Sequence, residues 1–328
     1  MKHVSVNINQ SESISRMIKS LQFKSEFLKR KFISIPLEDQ IKLSMYYYAV
    51  GICHQTYHLA NPKLNLYGWD FLEYGFLQLA KEKPELLDAK FVANTPSREL
   101  IKLVKPFFAE DNKAEKCTLD RLDERMRLWK DMAAFILQNT DSVLSFIQSS
   151  ENKADYFYRK LQLTEAYSDP MQKKSSFLMK LLEDAGFADF SQSENIIPIM
   201  DYHMQRVLMR TGCVEIQDQN LYNQLVNREE LTDDSEIRNA CIASMKIIAE
   251  ESGLSVLKMN DVFYTMGRSC CNQNPICITP SCEKDPCTLS LAVDIPEKHH
   301  CIFENVCSGA RDLKYRQLWQ PIVETHYY

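Results

Sequence analysis

An all-α fold is what this sequence predicts, and three observations predict it. Apolar residues recur at helical spacing through most of the chain. Glycine is scarce, at 8 of 328 residues, and the alternating Val/Ile/Thr runs that mark strands are few. With 45% hydrophobic and 25% charged residues, the chain can bury a sizeable core in one large body or two intimate lobes. The polar run Gln148-Ser149-Ser150-Glu151-Asn152-Lys153-Ala154 reads as a hinge between lobes. The expected division is an N-terminal helical lobe over 1–150, a second helical lobe over 151–266, and a cysteine-rich loop with a tail over 267–328.

The elements follow in order. Between Ser11 and Lys31, Ile14, Met17, Ile18, Leu21, Phe27 and Leu28 suit one or two amphipathic helices with basic residues outward. After Pro36, the stretch from Ile41 to His54 is apolar and aromatic, a buried helix whose end carries His54, Gln55 and His58. Gly68 to Ala80 reads as another helix, stopped before Pro84. Thr95-Pro96 gives an N-cap with proline at the first helical position, and Thr118 opens a long helix with Asp120, Asp123, Glu124, Arg125 and Arg127 as its solvated face. Asp169-Pro170 starts a helix in the same way, with Lys173 and Lys174 in its first turn. Asp234 or Ser235 caps a later helix ending near Gly253, and a last one closes at Gly267-Arg268.

The chemistry centres on Ile197-Pro198-Ile199-Met200-Asp201-Tyr202-His203-Met204-Gln205-Arg206-Val207-Leu208-Met209-Arg210-Thr211-Gly212. Pro198 stops a helix from running in, while Met200, Met204, Val207 and Leu208 form a core-facing stripe. Asp201 therefore falls at the N-cap or in the first turn. Backbone N–H groups and the helix dipole favour its ionised form there, so its pKa is expected to be lowered. The plain role of such an Asp is capping. A carboxylate held as an anion also suits a reaction in which positive charge develops beside it, as at the anomeric carbon of a sugar losing its base.

Asp201-x-His203-x-x-Arg206-Val207-x-x-Arg210 resembles the V-D-x-H-x-x-R-V-x-x-R segment of helix-hairpin-helix DNA glycosylases such as endonuclease III, in which the Asp is catalytic. Met200-Asp201-Tyr202-His203-x-x-x-Val207-Leu208, followed by Gly212, resembles the A-D-Y-R-x-x-x-V-L segment of queuosine salvage proteins, glycosylase-like enzymes that release queuine from its nucleotide. The likeness covers about a dozen positions. It implies a two-lobed, helix-hairpin-helix-like glycosylase fold, Asp201 as catalytic carboxylate, and Tyr202 and His203 beside the substrate. The aromatic helix before His54 loosely resembles the one those salvage proteins place beside the base, without their Asn-Phe-Cys-Phe-Trp signature. Tyr47, His54, Trp69 and Asp70 then become candidates to hold a heterocycle, against a plain core-packing role. Lys174, or Lys173, takes the place of the lysine that bifunctional glycosylases use to form a Schiff base, against a plain solvent-facing role. The hairpin glycines of the DNA-repair enzymes are missing.

Seven of the eleven cysteines crowd the end of the chain: Cys270, Cys271, Cys277, Cys282, Cys287, Cys301 and Cys307. An acidic protein without an export signal disfavours disulfides, which leaves iron–sulfur or zinc ligation. Several glycosylases of the helix-hairpin-helix class that the Asp201 segment resembles carry a 4Fe-4S cluster in a Cys-x6-Cys-x2-Cys-x5-Cys loop after Gly-Arg. Here Gly267-Arg268-Ser269-Cys270 is followed by Cys277 at the x6 interval, then Cys282 and Cys287 at x4 each. The expected ligands are Cys270, Cys277, Cys282 and Cys287, with Cys271, Cys301 and Cys307 as alternates and zinc as the alternative metal.

A formal charge of -5 weighs against broad, backbone-driven binding of nucleic acid, though a local basic cleft remains open. Met1 to Ser13 is too polar for a secretory signal, and no run of about 18 apolar residues exists to span a bilayer. The expected protein is cytoplasmic, with no membrane partner and a small nucleotide or nucleoside as substrate. Its expected activity is hydrolysis of an N-glycosidic bond, with a queuosine-type 7-deazaguanine derivative suggested by resemblance. The alternatives are an iron–sulfur DNA glycosylase and a non-catalytic iron–sulfur interaction module.

Overall fold

The computed structural model describes residues 3–191, 193–280, 282, 287–295, 297 and 299–328. The fold is mostly helical, with short two-stranded pairs as its β structure among the described residues. The chain forms two compact units, Met1–Lys29 with Ile196–Glu324, and Arg30–Asn195 with Thr325–Tyr328. Residues 148–154, read as a hinge, fall inside the second unit. The cysteine-rich segment shares the first unit with the Asp201 helix. No helix among the described residues is long and apolar enough to cross a membrane.

In the first unit, the helix Ile8–Lys19 opens on Asn7, whose side chain accepts from Gln10 N. It packs against Ser235–Ser252. Small polar residues on both sides let the backbones approach: Ser11 and Ser244 hydroxyls meet at 2.9 Å, and Ser15 donates to Ile248 O. Strands Val4–Val6 and Val214–Ile216 pair antiparallel, with Val4 opposite Ile216. The helices Tyr202–Thr211 and Met259–Ser269 complete the core through Met204, Val207, Leu208, Val262, Phe263 and Met266. Ser235–Ser252 ends on Gly253 at φ 73°, as its glycine predicts.

In the second unit, Asp39–Gly51 is buried nearly all round, with Tyr46, Tyr47 and Tyr48 fully enclosed. It packs against Trp69–Glu82, Leu122–Asn139 and Lys173–Asp184. Three helix starts differ from expectation because the capping residues found other partners. Thr95 closes the preceding helix, its hydroxyl donating to Phe91 O, so the next helix is Ser97–Val104 with Pro96 as N-cap. The Thr118 hydroxyl accepts from Ala60 N and donates to Ala60 O, and the long helix starts only at Leu122. Asp169 takes Met171 N and Lys173 N in a turn ahead of the helix, which opens on Gln172 at φ 56°. Short polar side chains offer the backbone these alternatives to helix.

Candidate functional site

Asp201 is the N-cap of Tyr202–Thr211, as its place after Pro198 predicts. Its backbone is extended (φ -107°, ψ 176°), and Oδ1 accepts from Met204 N at 2.9 Å. The carboxylate is nearly enclosed, at 7% exposure. Tyr202 and His203 stand half-buried beside it with ring centroids 4.4 Å apart, and His203 meets the Tyr264 ring edge-on at 5.8 Å. Gly267 makes this approach possible, since a Cβ there would lie 2.9 Å from His203 Cβ.

The helix is clamped along its length. Arg206 and Arg210, one turn apart, are both buried and bond backbone carbonyls. Arg206 donates to Gly267 O at 2.7 Å and Cys271 O at 2.9 Å; Arg210 donates to Asn272 O at 2.6 Å and Leu318 O at 2.9 Å. Arg206, Arg210 and Arg228 guanidiniums surround the Trp319 indole at 4.6, 5.5 and 4.2 Å from its centroid. Burial brings the Arg206 pKa down to about 10, so it stays charged. Gly212 ends the helix at φ 82°, where a Cβ would strike the Ser308 hydroxyl.

Behind this helix lies the sulfur chemistry. Cys270, Cys271, Cys277, Cys301 and Cys307 line one cavity of about 20 Å³, with Val207, Met266 and Ile276 as apolar wall and Arg210 and Arg316 as its charged neighbours. Cys282 and Cys287 are not among its described lining residues; Cys287 is buried as N-cap of Thr288–Ala292. The grouping thus keeps Cys270 and Cys277 of the expected four and joins them to the alternates Cys271, Cys301 and Cys307. Its spacing is informative: Cys270 and Cys277 keep the x6 interval, Cys301 and Cys307 stand at x5, and residues 278–300 separate the pairs. His300, next to Cys301, is exposed and faces Glu297 and Glu304 instead.

The donor set suits a thiolate-bound metal. Burial raises the pKa of Cys277, pushes Cys307 up to about 12 and holds Cys301 well above the usual thiol range, so all three are neutral thiols around neutral pH. A metal would displace those protons, and the two arginines would offset the negative charge created. Among the described residues no three His, Cys, Asp or Glu side chains stand in ready-made coordination geometry. The five thiols share a cavity rather than a polyhedron.

The other predicted site residues lie in the second unit. Tyr47 stacks on Tyr167 with centroids 5.6 Å apart and donates to Met132 O. Trp69 donates Nε1 to Glu73 at 2.6 Å and packs edge-on against Phe177. Asp70 sits in the first turn of the Trp69–Glu82 helix. Lys174 is not a solvent-facing lysine: it is fully buried and donates Nζ to Gly51 O at 2.6 Å. Burial lowers its pKa to about 7, against the opposing pull of Cys53.

Arg125, expected on a solvated face, is also fully enclosed. It donates to Ile52 O, His54 O and the Asp120 carboxylate. Lys174 and Arg125 together close the C-terminal end of Asp39–Gly51, where helix carbonyls lack intrahelical donors. Sequence reading missed Arg125 because its neighbours alternate in charge; the signal was the helix end at Gly51, which lacks a polar donor of its own. His54 is buried with neither ring nitrogen hydrogen-bonded, Glu124 lying 3.5 Å from Nε2 without bonding geometry. Burial, then Lys174 and Arg125, hold its imidazole neutral.

No protein-family model and no curated protein matches this sequence.

Proposed function

We propose that the chain is an N-glycosylase of helix-hairpin-helix-like fold, acting on a modified nucleotide or nucleoside, with Asp201 as its catalytic carboxylate. One observation carries the reading. The only side chain in the Asp201 stretch suited to stabilising a carbocation heads a helix that two buried arginines fix to the cysteine-rich loop. A carboxylate so placed is held as an anion by a backbone N–H and the helix dipole. It can stabilise positive charge at the anomeric carbon as the C–N bond breaks, and orient the water that adds to that carbon while the base takes up a proton. Tyr202 and His203 supply half-buried rings beside it for the departing group. The cysteine-rich loop would hold a 4Fe-4S cluster, or zinc, through Cys270, Cys277, Cys301 and Cys307, with Cys271 in reserve. Such a group would pin the loop that grips Arg206 and Arg210.

The test is release of free base from nucleoside monophosphates, a 7-deazaguanine derivative included, by wild type and Asp201→Asn. Asn is as good an N-cap as Asp, so the variant keeps the fold and loses the charge. Activity should fall at least 10²-fold; equal activity overturns the role of Asp201. A second reading, excision of a damaged base from DNA, is favoured by the x6 and x5 cysteine intervals and by the His203, Arg206 and Arg210 pattern. Retention of duplex DNA that vanishes at moderate salt would support it. Metal-replete protein inactive on both substrates would leave a non-catalytic interaction module. Broad visible absorbance separates iron–sulfur from zinc.

A further inference from the structure

The second unit holds a nucleophile pair that the proposed glycosylase chemistry does not use. Lys173 Nζ stands 3.4 Å from Cys53 Sγ, where the end of the Asp39–Gly51 helix meets the start of Lys173–Asp184. Both residues are buried at 7% exposure, so each keeps a small solvent-accessible surface. Neighbouring Lys174 is committed to Gly51 O, and Asp169 takes the Lys173 backbone N–H, so the Lys173 amine is the nitrogen presented to the sulfur. The Phe177 ring, 5.3 Å from Nζ, closes the other side.

We propose that Cys53 and Lys173 form a reversible sulfur–nitrogen crosslink under peroxide. Peroxide oxidises the Cys53 thiol to a sulfenic acid, taking two electrons from sulfur and leaving one water. A Lys173 amine that has given up its ammonium proton then attacks that sulfur, an S–N bond forms, the S–OH bond breaks, and hydroxide leaves with an amine proton as a second water. The sum is thiol plus amine plus peroxide giving a sulfenamide and two waters, the condensation that sulfenic acids undergo with nitrogen nucleophiles. The link spares Cys53 from irreversible oxidation and ties the two helix ends together. Added thiol restores both groups.

The experiment treats the reduced full-length protein with hydrogen peroxide, blocks remaining thiols, digests it and reads the peptides by mass. The expected result is a Cys53 peptide joined to a Lys173 peptide, lighter than their sum by two hydrogen atoms. It disappears on reduction and is missing from Lys173→Arg and Cys53→Ala. In wild type alone, amine labelling after denaturation without reductant should find Lys173 unacetylated in the peroxide-treated protein and acetylated once reductant is added, a readout that does not depend on either variant folding. Cys53 found as sulfinic or sulfonic acid with Lys173 still acetylated overturns the proposal. So does Cys53 in a disulfide, or a linked peptide that retains the oxygen.

Discussion

Both units bury cations against backbone carbonyls, but the carbonyls belong to different things. In the second unit, Lys174 serves the last carbonyl of Asp39–Gly51, a group orphaned by the helix geometry itself, and Arg125 serves Ile52 O and His54 O in the turn just beyond it. In the first, Arg206 and Arg210 reach sideways from the middle of a helix to a loop and a tail, through Gly267, Cys271, Asn272 and Leu318. The first arrangement completes one helix and would exist whatever the protein did. The second couples the helix that Asp201 heads to the loop that holds the thiols. Buried charge alone is therefore a poor guide to function; what the charge is bonded to is the better one.

Loss of the Arg125 guanidinium has the largest expected effect. Its replacement by Met leaves two buried carbonyls and the Asp120 carboxylate without their donor, and should cost about 3–5 kcal/mol in urea denaturation. A loss below about 1 kcal/mol would mean that water or another donor reaches the helix end. Arg210→Met should cost less, about 1–3 kcal/mol, because one of its two main carbonyl partners, Asn272 O, is only part-buried. It should also speed the loss of any bound metal to a chelator, followed by visible absorbance and thiol titration. Unchanged metal retention would uncouple the Asp201 helix from the thiol cavity.

Lys174 sharpens the contrast through pH. Its pKa is about 7 in the fold, against 10.5 for a free lysine. Between those values the unfolded chain binds the extra proton, so the Lys174 contribution makes stability rise with pH from about 7 to about 10.5. Below about 7 the cost of burying the ammonium is fully present and no longer varies. Lys174→Met should remove that rise relative to wild type in thermal midpoints taken across the window. Parallel curves would show that the amine is not buried as described.

Much of the helical fold was legible because burial imposes a period that residues such as Met204, Val207 and Leu208 display directly. The Asp201 cap was legible because proline upstream and an apolar stripe downstream leave one place for it. Three things were not. Arg125 sits among alternating charges and looks like surface, since burial through hydrogen bonds to carbonyls leaves no periodic trace. Thr118 and Asp169 carry sound start signals, and the structure spends their side chains on Ala60 and on a local turn. The thiol cavity joins cysteines across residues 278–300, and spacing along a chain cannot reveal which thiols a long insertion brings back together.

The smallest effect tests the site most cleanly. Two roles of Asp201 are separable: its Oδ1 satisfies Met204 N, and its charge is what the glycosylase reading needs. Asp201→Ala loses both and should cost about 1 kcal/mol of stability. Asp201→Asn keeps a capping oxygen and should cost a few tenths at most, while base release falls as steeply as in the alanine variant. Stability and activity that fell together across both variants would reduce Asp201 to a helix cap. Separation of the two, full stability with lost activity in the asparagine variant, is the outcome that a carboxylate retained for its charge requires.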